Sequence, residues 1–192
     1  MRQPVIVVLG HVDSGKTSLL DKIRGSAVQS REAGGITQHI GASFFPTETL
    51  TNICGHLISK SGGKIEVPGV LVIDTPGHEA FANLRTRGGS AADISIVVVD
   101  VMKGFEVQTY ESIEILKSKK VPFIVALNKL DTLPGWKPGS STFVTDSLKE
   151  QEKSTLLLLD KKIYEVVGSL SRLGFVSEAF NRVKDFAKEI AI

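Results

Sequence analysis

Four short apolar runs rich in β-branched residues recur along the chain: Val5 to Leu9, Val70 to Ile73, Ile94 to Val99 and Val121 to Leu127. Their hydrophobicity is continuous rather than alternating, which is the pattern of strands buried on both faces. Segments of helical spacing separate them, so the pattern predicts an α/β domain with a doubly wound, mostly parallel sheet covered by helices. Leu19, Leu20 and Ile23 mark the first helix, and Ala42 to Phe45 an edge strand. Leu50, Ile53, Leu57 and Ile58 predict a helix that opens near Pro46 and is closed by Ser61-Gly62-Gly63. Between the third and fourth runs, Val107, Tyr110, Ile113 and Leu116 predict another.

Two stretches depart from simple alternation. Arg24 to Gly41 has no periodicity and carries Gly25, Gly34, Gly35 and Gly41, which reads as a long mobile loop of the functional or disordered kind. Gly135 to Ser141 is loop chemistry, after which Leu156, Leu159, Ile163, Val166, Val167 and Leu170 stripe a long amphipathic helix. Residues from about 135 to 174 therefore read as an inserted helical segment whose plain role is packing. Gly174 breaks that helix, and Phe180, Val183, Phe186 and Ile190 predict a last one.

The polar residues that follow each strand carry the candidate chemistry. They are Gly10 to Thr17, then Asp74-Thr75-Pro76-Gly77-His78, then Asp100, then Asn128-Lys129-Leu130-Asp131. Open parallel sheets bind ligands just outside the carboxyl ends of their strands, so these motifs are expected to converge in space.

Composition narrows the class without naming a ligand. A chain of 192 residues, 42% hydrophobic and 23% charged, matches an ordinary globular domain with a substantial core. A net charge of +2, with basic residues scattered apart from Lys117, Lys119 and Lys120, gives no argument for nucleic-acid binding. The single Cys54 excludes an intramolecular disulfide and suggests no thiolate metal site. No run is long enough to span a membrane and no charged leader precedes an apolar stretch, so a cytoplasmic protein is expected.

Gly10-His11-Val12-Asp13-Ser14-Gly15-Lys16-Thr17 fits G-x-x-x-x-G-K-[ST], set between a strand and a helix as a phosphate loop requires. Glycines let successive backbone N–H groups approach phosphate oxygens, and the helix adds its positive dipole end. Lys16 would reach the outer phosphates, and Thr17 would offer its hydroxyl to Mg²⁺. Asp74 can hold Mg²⁺ through water, and the Gly77 N–H can approach a terminal phosphate. Taken alone, Asp-Thr-Pro-Gly is also a common turn; its position after a phosphate loop favours the catalytic reading. Asp131 can accept from guanine N1–H and the N2 amino group, which adenine cannot match. Asn128 would tie this loop to the phosphate loop, and the Lys129 stem would cover one face of the base.

These three motifs resemble the first, third and fourth signatures of the GTPase superfamily. His11, Val12 and Asp13, with His78 after Gly77, resemble the translational GTPases in particular. Gly34-Gly35-Ile36-Thr37-Gln38-His39-Ile40-Gly41-Ala42 is similar to the first switch of initiation factor 2 and its archaeal and eukaryotic relative, initiation factor 5B. The insertion and Leu173-Gly174-Phe175 resemble the latter branch. Ser14 stands where many of these proteins have His. The fifth signature, a Ser-Ala-Lys-like loop after a final strand, is expected beyond Ile192. The resemblance therefore implies residues 1–192 to be a GTP-binding domain with its C-terminal strand cut short.

The resemblance implies GTP and GDP as ligands, with Ser18 joining residues 11–17 in nucleotide binding. It implies Mg²⁺ held by Thr17, Thr37 and, through water, Asp74. Asp13, a carboxylate beside phosphates, would be tolerated with a Na⁺ or K⁺ between. Thr37 and Gly77 would contact the γ-phosphate, His78 would position the attacking water, and Val12 with Ile36 would form an apolar gate before it. Loss of the γ-phosphate would release the first switch. No arginine is placed as a finger, so intrinsic turnover is expected to be slow and ribosome-stimulated; Arg85 and Arg87 are expected to face a partner. His11, His39 and His56 are expected to be structural or surface residues. The function implied is a monomeric switch domain of a translation initiation factor that promotes ribosomal subunit joining, acting with both subunits and other initiation factors. Two alternatives stay open: a module that senses GTP or GDP with negligible turnover, and another phosphate-loop NTPase or kinase without guanine selectivity.

Overall fold

The computed structural model describes residues 2–24, 41–60, 66–74, 92–139, 141 and 143–192. A five-stranded sheet in the order β2-β3-β1-β4-β5 forms its centre. The strands are β1 (Val5–Gly10), β2 (Gly41–Pro46), β3 (Gly69–Asp74), β4 (Ile94–Asp100) and β5 (Phe123–Asn128). β1 pairs in parallel with both β3 and β4, and β4 with β5. β2 lies antiparallel on β3, so the expected edge strand is in place. Helices α1 (Lys16–Arg24), α2 (Thr47–Lys60), α3 (Val107–Lys119), α4 (Val144–Lys149) and α5 (Lys153–Arg172) surround the sheet.

Continuous hydrophobicity along each strand has the expected cause. Successive side chains point to opposite faces, and both faces are covered. Val7, Leu9, Val97, Val99, Phe123 and Val125 join Ile113 and Leu116 of α3 and Val166 and Leu170 of α5 in one core. Val8, Val72 and Val98 face the other way, against Leu20 of α1 and Leu50 of α2. Removing this much apolar surface from water is the main driving force for the fold.

The inserted segment is part of that core. Val166 and Leu170 close over the sheet, while Leu159 packs with Val101 and Leu133 in a third cluster that Trp136 and Leu148 flank. Gly174, at φ +86°, ends the helix, and the Lys117 ammonium donates to the Leu173 carbonyl at 2.5 Å. Phe175 then meets Phe123 edge to face with ring centroids 5.1 Å apart.

Two expectations are corrected. On α3 the buried face is Thr109, Ser112, Ile113 and Leu116, whereas Val107 is 72% exposed. Those four positions keep the i, i+3, i+4, i+7 spacing, but hydroxyl residues fill half of it. Ser112 enters the interior with its Oγ donating to the Gln108 carbonyl at 2.7 Å, so its burial leaves no bare donor. The predicted last helix is absent. Residues 177–191 instead hold two short parallel strands, β6 (Ser177–Glu178) and β7 (Ile190–Ala191), with turns between. Carboxylates capture local backbone N–H groups there, Asp185 taking that of Ala187 and Glu189 that of Lys184, which competes with helical bonding. Phe180 and Phe186 are left 51% and 68% exposed.

Candidate functional site

β1 is the strand at which the sheet order reverses, since its neighbours β3 and β4 lie on opposite sides. Gly10 to Thr17 leaves its carboxyl end and enters α1, the place where open α/β sheets bind ligands. Its backbone takes conformations the sequence motif requires. Gly10 and Gly15 sit at φ +146° and +92°. A Cβ at Gly10 would run into the Val98 carbonyl of the adjacent strand, and one at Gly15 into Asn128 Nδ2. Asp13, at φ 64°, is one of three non-glycine residues with positive φ among those described. Lys129 is another, so two of the three fall on the candidate motifs.

The loop is held from several directions. Lys16 Nζ donates to the carbonyls of Gly10 at 3.0 Å and His11 at 2.8 Å, arching its ammonium over the loop's entry. The Ser14 N–H returns to the His11 carbonyl at 3.2 Å. Ser14 itself is 2% exposed, and its Oγ has no hydrogen-bond partner among the described residues. The Asn128 side-chain amide, from the end of β5, donates to the Ser14 carbonyl at 2.9 Å. The expected tie between the two motifs is therefore present.

Lys129 continues from Asn128 in a left-handed conformation and directs its ammonium to Asp100 Oδ2 at 2.9 Å. Asp100, 6% exposed at the end of β4, also accepts the Met102 N–H at 2.9 Å. Burial pushes its carboxyl pKa up. The Lys129 and Met102 hydrogen bonds, the Lys129 charge and the Lys103 N–H together outweigh that and hold it below the ordinary value of 3.8. Asp100 is thus the anchor of the Lys129 stem. Asp131 stands exposed in the following one-turn helix Leu130–Thr132, with its carboxylate available to a ligand.

On the remaining side, the Val12 N–H donates to Gln108 Oε1 at 3.1 Å, and His11 Nε2 lies 3.5 Å from Glu106 Oε1. Both partners sit at the start of α3. Sequence reasoning missed these contacts, because Glu and Gln at a helix start are ordinary surface choices. It identified Asp100 as a strand-end residue but not its pairing with Lys129. A groove of about 410 Å³ between β5, α4 and α5 is lined by Leu130, Leu148, Leu159 and Phe180 among others, and by none of Gly10 to Thr17.

The expected metal ligands are partly in view. Thr17 is the second residue of α1, and Asp74 ends β3, where that strand pairs Asp74 with Val8 of β1. The Thr17 hydroxyl is a hard oxygen donor of the kind Mg²⁺ takes. Ile36, Thr37, His39, Gly77, His78, Arg85 and Arg87, and the side chains of His56 and Asp74, lie outside the described residues.

A phosphate loop at the switch point, tied to an Asn-Lys-Leu-Asp loop, defines a GTPase-type nucleotide-binding domain. The chain belongs to the family of elongation factor Tu GTP-binding domains, whose model matches residues 1–186. It is 56% identical over its whole length to the probable translation initiation factor IF-2 of Sulfurisphaera tokodaii, and 54% identical to that of Thermofilum pendens. It covers 32% of each, so it spans about a third of the length of these curated relatives. Among solved structures it is similar to GDP-bound aIF5B from Aeropyrum pernix, with a TM-score of 0.86 and 52% identity, covering 100% of this chain and 32% of that one. A bacterial selenocysteine-specific elongation factor, at 21% identity and a TM-score of 0.51, shares the fold over 88% of this chain and 24% of its own.

Proposed function

We propose that residues 1–192 form the GTP-binding and GTP-hydrolysing switch domain of a translation initiation factor of the 5B type. The observation that carries this reading is the Asn128–Ser14 bond, which brings the base-reading and phosphate-holding loops to one place. His11 to Ser18 would hold the phosphates, and Asn128, Lys129 and Asp131 the guanine base. The Asp131 carboxylate would discriminate against adenine by accepting from guanine N1–H and the N2 amino group, a pairing that adenine cannot make.

Thr17, Thr37 and Asp74 would hold Mg²⁺, which when bound neutralises charge on the phosphate oxygens. Asp13 places a carboxylate at an exposed, left-handed apex of the phosphate loop, a position suited to Na⁺ or K⁺. Thr37 and the Gly77 N–H would contact the terminal phosphate, and His78 would orient the attacking water behind the gate of Val12 and Ile36. Val12, 51% exposed, stands clear of the core as one side of such a gate must. The full-length factor would act in the cytoplasm as a monomer, promoting subunit joining with the ribosome as activator.

The test is hydrolysis by the full-length protein. GTP but not ATP should displace labelled GTP, and ribosomes should accelerate single-turnover phosphate release. His78→Ala should keep GTP affinity and lose the ribosomal stimulation. Full stimulated hydrolysis in that variant would remove His78 from the mechanism, and displacement by ATP would return the site to the wider class of phosphate-loop NTPases.

A further inference from the structure

The His11–Val12 peptide is pinned at both of its edges. Its carbonyl accepts from Lys16 Nζ at 2.8 Å and from the Ser14 N–H at 3.2 Å. Its N–H, contributed by Val12, donates to Gln108 Oε1 at 3.1 Å. The peptide plane fixes these two directions opposite one another, so whatever orients the N–H also orients the carbonyl that Lys16 holds. Gln108 is well placed to be that group. It is the second residue of α3, partly buried, and its own carbonyl accepts from Ser112 Oγ at 2.7 Å. The helix behind it is anchored to the core by Ile113 and Leu116 and to α5 through the Tyr110 hydroxyl on Ser169 Oγ at 3.3 Å. Glu106, beside His11 Nε2, steadies the same stretch from the preceding residue.

We propose that Gln108 is a positioning residue for the nucleotide site: through the Val12 N–H it sets the His11–Val12 peptide, and thereby Lys16, in the orientation that receives phosphate. The inference rests on the proposed assignment of Gly10 to Thr17 as the nucleotide site. Gln108 is assigned its effect through the Val12 N–H rather than by contact with the nucleotide. A bond between a neutral side chain and a backbone N–H contributes about 0.5–1.5 kcal/mol net, which corresponds to a change of about two- to tenfold in a binding or release rate.

The experiment measures dissociation of a fluorescent GDP analogue from the full-length protein and from three variants. Gln108→Met keeps the side chain's length without an acceptor, Gln108→Ala removes both, and Gln108→Glu keeps an acceptor facing Val12. Release should quicken about two- to tenfold in the methionine and alanine variants, with thermal unfolding unchanged in Gln108→Met, and should stay closer to the unsubstituted rate in Gln108→Glu. Unchanged release in Gln108→Met would overturn the inference alone, as would equal acceleration in all three variants. Absence of nucleotide binding by the unsubstituted protein would overturn the site assignment, and this inference with it.

Discussion

The Asn128 side-chain amide reaches across from the end of β5 to the Ser14 carbonyl, 2.9 Å away and 114 residues earlier in the chain. The two loops that would read base and phosphate are thereby one unit. Replacing Asn128 by Asp sets a carboxylate against that carbonyl in place of a donor. GTP affinity should fall by at least tenfold, more than for Asn128→Ala, which only leaves the carbonyl unpaired. Isothermal titration on both variants checks the order; equal losses would mean the contact is incidental.

Gly15 lies directly beneath the same amide, at φ +92°. Gly15→Ala adds a Cβ that meets Asn128 Nδ2 and also forces an unfavourable left-handed backbone. A loss of about 1–3 kcal/mol in stability is expected, together with loss of nucleotide binding. Denaturant unfolding and binding should fail together. A stable variant that binds normally would show that the loop relaxes without cost.

Leu20, on α1 just behind the phosphate loop, has no exposed surface and packs into the core shared with Val8 and Val98. Leu20→Ala should cost about 2–5 kcal/mol, the usual range for a buried leucine truncated in a close-packed interior. The effect on nucleotide affinity should be smaller than that of Gly15→Ala, because the loop's own bonds are retained. Comparing unfolding midpoints with affinities separates these contributions.

Asp100 supplies a pH signature. Its folded-state pKa lies below the ordinary value of 3.8, so its ionised form adds stability above that pH and the contribution is lost as pH falls through the folded value. Asp100→Asn should therefore be less stable than the unsubstituted protein at pH 7, and the gap should narrow below about pH 4. Unfolding curves at neutral and acid pH decide it; a gap independent of pH would assign the loss to packing.

Most of the sheet was legible from the chain because continuous apolar runs have one good solution, burial on both faces. The phosphate loop and the Asn128 to Asp131 loop were legible because their residue types are tied to ligand chemistry and follow strands directly. On α3 the apolar spacing finds Ile113 and Leu116 but not the rest of the buried face, because Thr109 and Ser112 hide it behind hydroxyl groups while Val107 is exposed. After Gly174, the helix-like intervals of Phe180, Val183 and Phe186 point to a helix that the chain does not form. Nothing in a local pattern shows that Ile190 N–H is taken by the Val176 carbonyl and Ile192 N–H by that of Glu178. Gln108 and Glu106 were invisible for the same reason: their importance lies in what stands across from them.

The inserted helix α5 carries a practical consequence. Its Val166 and Leu170 side chains form part of one wall of the sheet, and its far end is fastened to α3 by Lys117. Trimming the chain to a minimal nucleotide-binding unit by excising that helix would uncover Ile113, Leu116 and Phe123 to water and turn a packed interior into an adhesive surface. A shortened version needs a replacement wall before it needs anything else.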